Sequence, residues 1–171
     1  NFFTVRDISK VYDLGLVRFF LLSTHYRNPV NFSDTILEQA KSGLERLTNA
    51  RDRAEFILNN QTVEGISAEE KELIPTIESF RDKFIEAMDD DLNTADAIST
   101  IFELAKFMNT NVAETSSKEF IKCNLDMFYE LTNVLNIAQK SDDLDEELVK
   151  KVEDLIEKRT EAKKSEGFCV G

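Results

Sequence analysis

Residues 67–108 read SAEEKELIPTIESFRDKFIEAMDDDLNTADAISTIFELAKFM, and their apolar side chains keep helical spacing on both sides of a short polar turn. Leu73, Ile77, Phe80, Phe84 and Met88 recur every three or four residues, which puts them on one face of a helix. Ile98, Ile101, Phe102, Ala105 and Met108 repeat the pattern after the turn. Ser67 followed by Glu70 is a capping box, in which each side chain satisfies the other residue's backbone N–H. Asp89–Asn93 leaves room only for a tight reversal, with Asn93 or Thr94 capping the next helix. Pro75 lacks an N–H, so it predicts either a kink in the early turns or a later helix start.

The same period extends outward in both directions. Ser33 opens a helix striped by Ile36, Leu37, Ala40, Leu44, Leu47, Ala54 and Leu58, and Asn59–Ile66 reads as a loop containing Gly65. Ser116 and Glu119 form a second capping box ahead of Ile121, Leu125, Phe128, Leu131, Leu135 and Ala138. Ser141–Asp143 opens a last helix striped by Leu144, Leu148, Val152, Leu155 and Ile156, with Glu146–Lys150, Glu147–Lys151 and Asp154–Lys158 pairs outside. At the front, Thr4–Tyr12 spaces Val5, Ile8 and Tyr12 on one face. Asp13 caps a helix over Leu14–Leu22 that is apolar nearly all round, as in a buried or sandwiched helix. Between them and the long helices, His25–Phe32 (HYRNPVNF) has no period, and Pro29 disfavours helix at Asn28. The pattern predicts an all-α antiparallel helical bundle at 33–164, preceded by a small helical segment at 1–32 and followed by a tail at 165–171.

Composition agrees. The chain has 171 residues, enough for one real core, and its 5 Gly and 2 Pro argue against a turn-rich sandwich or a disordered chain. No apolar run is long enough to span a bilayer, and no secretory pattern opens the chain. Cys123 and Cys169 make neither a disulfide framework nor a metal knuckle, which fits a reducing, cytoplasmic setting. Asn1 in place of Met reads as a fragment or a processed chain. The 21 basic and 33 acidic residues give a formal net charge of −12, which argues against a surface that binds nucleic acid indiscriminately. Yet residues 1–32 hold Arg6, Lys10, Arg18 and Arg27 against only Asp7 and Asp13. Such a basic end keeps its own local field, because screening acts over about 8 Å in physiological salt.

Little of the chain suits covalent chemistry. Its glycines are too dispersed for a phosphate-cradling loop, and a nucleophile–histidine site could be built only around the single His25. Asp89, Asp91 and Asn93 match the first ligand positions of a calcium loop, but Thr94 stands where the turn needs Gly and Thr100 where a bidentate Glu belongs. Helix termination and capping explain these residues better. Most of the 13 Phe fall on inward stripes, Phe2, Phe3 and Phe32 being the exceptions. The His25–Asn31 loop combines the donors His25, Arg27, Asn28 and Asn31 with Tyr26; such a set can meet phosphate and sugar or base, and equally makes an ordinary polar loop.

Three segments in this order, NFFTVRDI, YDLGLVRFFLLSTHYRNPVNFS and FIEAMDDDLNTADAI, resemble the part of the cysteinyl-tRNA synthetase family that follows its KMSKS loop. The resemblance runs from Asn1 to about Lys164. It implies a stem-contact segment at 1–32, and from Ser33 a DALR-type anticodon-stem domain of class I synthetases. It implies cysteine-specific tRNA and the catalytic Rossmann domain of the same enzyme as partners, with Arg6, Lys10, Arg18, His25, Tyr26, Arg27 and Asn31 as tRNA contacts. ATP, the zinc that binds the cysteine thiol, and the catalytic motifs belong to the family's upstream domain. This stretch is therefore expected to carry no catalytic residue, metal or cofactor and to be inactive alone. The ending EGFCVG departs from the family's usual continuation towards an anticodon-reading domain. Two other functions are compatible with the residues: a related ligase joining cysteine to an amino sugar, and a non-enzymatic helical interaction module.

Overall fold

The computed structural model describes residues 5–30 and 32–139. Among the described residues there are six helices and no strand: α1 (Val5–Ile8), α2 (Leu14–Leu22), α3 (Asp34–Asn60), α4 (Ala68–Asp89), α5 (Thr94–Asn111) and α6 (Lys118–Leu135). The expected Thr4 cap, Asn31, the helix after Ser141 with its ion pairs, Cys169 and the tail lie outside the described residues.

Local capping chemistry sets most of the boundaries. The Asp13 carboxylate accepts from the Gly15 and Leu16 amides at the start of α2, and the Ser33 hydroxyl accepts from Ile36 at the start of α3. Both halves of the Ser67–Glu70 capping box are formed. Asn93, not Thr94, caps α5 by accepting from Asp96 N–H. The first helix is shorter than its apolar spacing suggests. After Ile8 the chain tightens into a turn, and Ser9 Oγ donates to the Arg6 carbonyl, a local bond that competes with helix. Pro75 neither ends nor delays α4, which begins at Ala68 and runs through it. Only the bond from residue 75 to the Lys71 carbonyl is forfeited, on an exposed side of the helix.

The start of α6 corrects the expected second capping box. The cap is Ser117, whose Oγ accepts from Phe120 N–H, while Ser116 bonds within the preceding turn to Ala113 and Asn111. Glu119 reaches away to the Gly65 amide. The acid that completes the cap comes from another helix. Glu70 takes the Ser117 N–H on Oε1 at 2.8 Å and the Ser117 hydroxyl on Oε2 at 2.8 Å, while Oε2 also accepts from Ser67 N–H at 2.9 Å. One carboxylate thus serves two helix N-termini, whose positive poles lie side by side. Burial opposes its ionisation, but its bonds to Ser67 and Ser117 outweigh that and hold the Glu70 carboxyl below its ordinary range.

The side-chain contacts fix the arrangement of the long helices. Glu70–Ser117 and Arg81–Glu130 match the chain directions of α4 and α6, so these run parallel. Arg51–Ala138 and Gln61–Ser116 make α6 antiparallel to α3. Helix α5 packs on both α3 and α4, so α3 and α4 stand across the bundle from each other although consecutive in the chain. Leu47, Ile77, Ile101, Leu104, Met108, Phe120, Ile121, Phe128 and Leu131 fill the centre. Phe56 breaks the inward rule for Phe: it lies on the outer side of α3, 68% exposed, between the buried Ala54 and Ile57.

Helix α2 lies on the flank of the bundle, against α3 and α5. Phe19 meets Phe102 edge-on at 6.3 Å, and Gly43 lets both rings approach α3 closely; a Cβ there would stand 3.3 Å from Phe19. Leu16, Val17, Phe19 and Phe20 are buried while Leu14 and Leu21 are half exposed, so one apolar face of this helix is covered and the other is open.

Candidate nucleic-acid interface

Two stretches 65 residues apart in the chain meet at the end of α2. A turn closed by Asn28 N–H on the His25 carbonyl presents His25, Tyr26 and Arg27 together. The His25 and Tyr26 rings stack at 4.8 Å, and the Arg27 guanidinium lies 5.5 Å from the Tyr26 ring centre. Tyr26 and Arg27 converge on the α4–α5 reversal. Tyr26 OH donates to Asp91 Oδ1 at 2.9 Å, Arg27 pairs with Asp91 Oδ2 at 2.8 Å, and Arg27 Nε donates to the Tyr26 oxygen. The hydrogen bond to Asp91 raises the Tyr26 phenol above its usual range.

The reversal is shaped for this contact. Asp91 and Leu92 both take left-handed backbone angles (φ 56° and 55°), while Asn93 N–H returns to the Ala87 carbonyl. Two successive left-handed residues turn the chain sharply and leave Asp91 and Leu92 exposed. Thr94 Oγ1 then donates to the Leu22 carbonyl at 2.7 Å, tying the start of α5 to the end of α2. Asp91 and Asn93, first positions of the partial calcium match, are thus engaged as anchor and cap. Among the described residues no group of three or more His, Cys, Asp or Glu side chains is placed to hold a metal ion.

The remaining basic candidates divide by role. Arg6 and Lys10 lie exposed on α1 and its following turn, Lys10 3.5 Å from Asp7. Arg18 donates to the Asn136 carbonyl at 3.1 Å, at the left-handed C-cap of α6. A cation there complements the negative end of the helix dipole. Buried Arg51 makes a similar contact, to the Ala138 carbonyl at 2.6 Å, and also holds Asp52.

A further basic feature runs along the seam of α3 and α5. Arg46, Asn49, Ala50 and Arg53 on α3 face Phe102, Ala105, Lys106, Asn109 and Thr110 on α5 across an open groove of about 410 Å³. The sequence reading did not find it, because its cations are dispersed among acidic residues on two separate helices. The signal lay in the helical spacing of 46, 49 and 53 and of 102, 106, 109 and 110, two stripes without a carboxylate.

Residues 83–139 match the DALR domain, and residues 1–42 match the tRNA synthetases class I (C) catalytic domain. Together these matches point to the class I aminoacyl-tRNA synthetases. The chain is 60% identical over 168 residues to the cysteine–tRNA ligase of Clostridioides difficile strain 630, an alignment covering 98% of this chain and 36% of that protein. With the cysteine–tRNA ligase of Lachnospira eligens it shares 46% identity over 169 residues, 99% of this chain and 35% of the relative. The chain belongs to the cysteine–tRNA ligase family, of whose curated members these two are about three times as long.

Proposed function

We propose that this chain is the tRNA-holding, C-terminal part of an ATP-dependent cysteine–tRNA ligase. The observation that carries the reading is the 60% identity to such a ligase over 98% of the chain. The geometry supports it, because HYR and DDDLNT, two of the segments that gave the resemblance, are joined through Asp91 into one prearranged surface. Residues 1–32 act as the stem-contact segment and the bundle from Ser33 as the anticodon-stem domain. The match of residues 1–42 to a catalytic-domain family supports the Rossmann domain of the same protein as neighbour to this end. ATP and zinc chemistry are assigned to that domain. A cytoplasmic site of action goes with this function, and no helix among the described residues is long and apolar enough to cross a membrane.

The mechanism assigned to this stretch is positioning. Arg6 and Lys10 meet tRNA phosphates directly, and Arg27 and Tyr26 do so from a loop that Asp91 has already ordered, which lowers the entropy lost on binding. His25 stacks against Tyr26, and Arg18 braces α2 on α6. Phosphate contacts orient tRNA without reading its sequence. The test is cysteine charging by the intact protein carrying Arg6→Glu with Lys10→Glu. A KM for tRNA raised severalfold with unchanged cysteine-dependent ATP–pyrophosphate exchange is expected. Unchanged charging would remove these residues from the tRNA path.

A further inference from the structure

The α3–α5 groove has the composition of an anion site on an otherwise acidic body. Its nine lining residues include Arg46, Arg53 and Lys106, with amide and hydroxyl groups from Asn49, Asn109 and Thr110, and no carboxylate. The chain as a whole carries 33 acidic side chains against 21 basic. Two nearby acids are turned to other partners: Asp52 to Arg51, and Glu103 to Lys83. The groove is also prearranged. Arg46 lies 5.2 Å from the Phe102 ring centre, and Arg53 donates to the Val112 carbonyl at 3.0 Å. Because α3 and α5 run parallel, Arg46 and Arg53 stand two turns apart, about 10 Å along one wall, with Lys106 on the other.

We propose that this groove binds the sugar–phosphate backbone of RNA, as a second contact surface beyond the HYR loop. The inference rests on the tRNA-holding function proposed above and deepens it. Separated cations along an open channel follow a polyanion strand, whereas a small anion would need donors converging on one point. The planar Arg46 and Arg53 side chains suit phosphate oxygens, and the amides at Asn49 and Asn109 suit ribose hydroxyls. Phe102 ties the groove to α2 through its contact with Phe19, so the groove adjoins the front segment rather than standing alone.

The test is titration of labelled tRNA with this chain across a salt series. One variant carries Arg46→Gln, Arg53→Gln and Lys106→Gln; a charge-matched control carries Lys41→Gln, Lys71→Gln and Lys122→Gln, all exposed and outside the groove. Because Arg53 also holds a backbone carbonyl, a further variant, Asn49→Asp with Asn109→Asp, repels phosphate and leaves every cation in place. Circular dichroism melts confirm that each is folded. Each neutralised phosphate contributes about 0.7–0.9 to the salt slope, so losing three contacts should lower it by about 2–3 and weaken low-salt binding more than tenfold. The control should lower it by less than about one contact's worth. Equal losses in groove variants and control, or groove variants that bind like the unaltered chain, would overturn the inference while leaving the tRNA-holding function intact. An unaltered chain that binds no tRNA would overturn both. Inorganic phosphate at matched ionic strength should compete poorly, and full competition would make this a small-anion site instead.

Discussion

Glu70→Gln gives the sharpest test of how the bundle is held together. The carboxylate receives three donors: Ser67 N–H, Ser117 N–H and Ser117 Oγ–H, at 2.8–2.9 Å. A glutamine amide can present an acceptor at only one of the two oxygen positions, and its NH₂ must point at a donor in the other. With its oxygen towards Ser67, the Ser117 N–H is orphaned, and Ser117 is only 1% exposed. An unsatisfied buried donor costs about 1–3 kcal/mol. Losing the negative charge between two helix N-termini adds about 0.3–1 kcal/mol for each helix. Together these give a loss of about 2–5 kcal/mol, read as a lower urea midpoint at unchanged m. A loss below about 1 kcal/mol would refute the shared cap. The pH dependence supplies an independent check. The native Glu70 carboxyl lies below its ordinary value of 4.5, so its stabilisation is fully present above that value and fades as pH falls through the native one. Glutamine resembles the protonated acid at every pH. The gap between wild type and variant should therefore be constant near neutrality and shrink below about pH 4.5.

Asp91→Asn keeps a residue that tolerates the left-handed backbone at 91 but removes the ion pair with Arg27. Because the pair is exposed, unfolding should change by no more than about 1 kcal/mol, while amide exchange over His25–Asn28 accelerates; unchanged exchange would show that Asp91 does not order the loop. Asn124 is fully buried on α6, its Nδ2 on the Phe120 carbonyl and its Oδ1 without a partner. Asn124→Leu should therefore stabilise the protein by about 1–2 kcal/mol in urea unfolding, and a destabilised variant would mean that the amide carries a role beyond that bond.

The elements legible in the sequence are those that short-range chemistry decides. Asp13, Ser33, Ser67 and Asn93 act on amides two or three residues away, so the sequence contains both partners. The stripes of α4, α5 and α6 were legible for the same reason: a 3.6-residue period needs no knowledge of what it packs against. Failures began where the partner was distant. The cap of α6 shifted from Ser116 to Ser117 because Glu70, 47 residues upstream, supplies the acid that Glu119 was expected to supply. Arg18 was named as a tRNA contact; its bond from Nη1 to the Asn136 carbonyl, 118 residues away, could not be foreseen. Tyr26, Arg27 and Asp91 were each noticed in the sequence, but for separate reasons, and only the tertiary fold makes them one surface.

Direct binding of cysteine tRNA and an unrelated tRNA to this chain, from low to physiological salt, tests the central claim most plainly. The account expects saturable binding at low salt that weakens steeply as salt rises, because the contacts are to phosphates. Absence of binding even at low salt, with the chain folded, would contradict it.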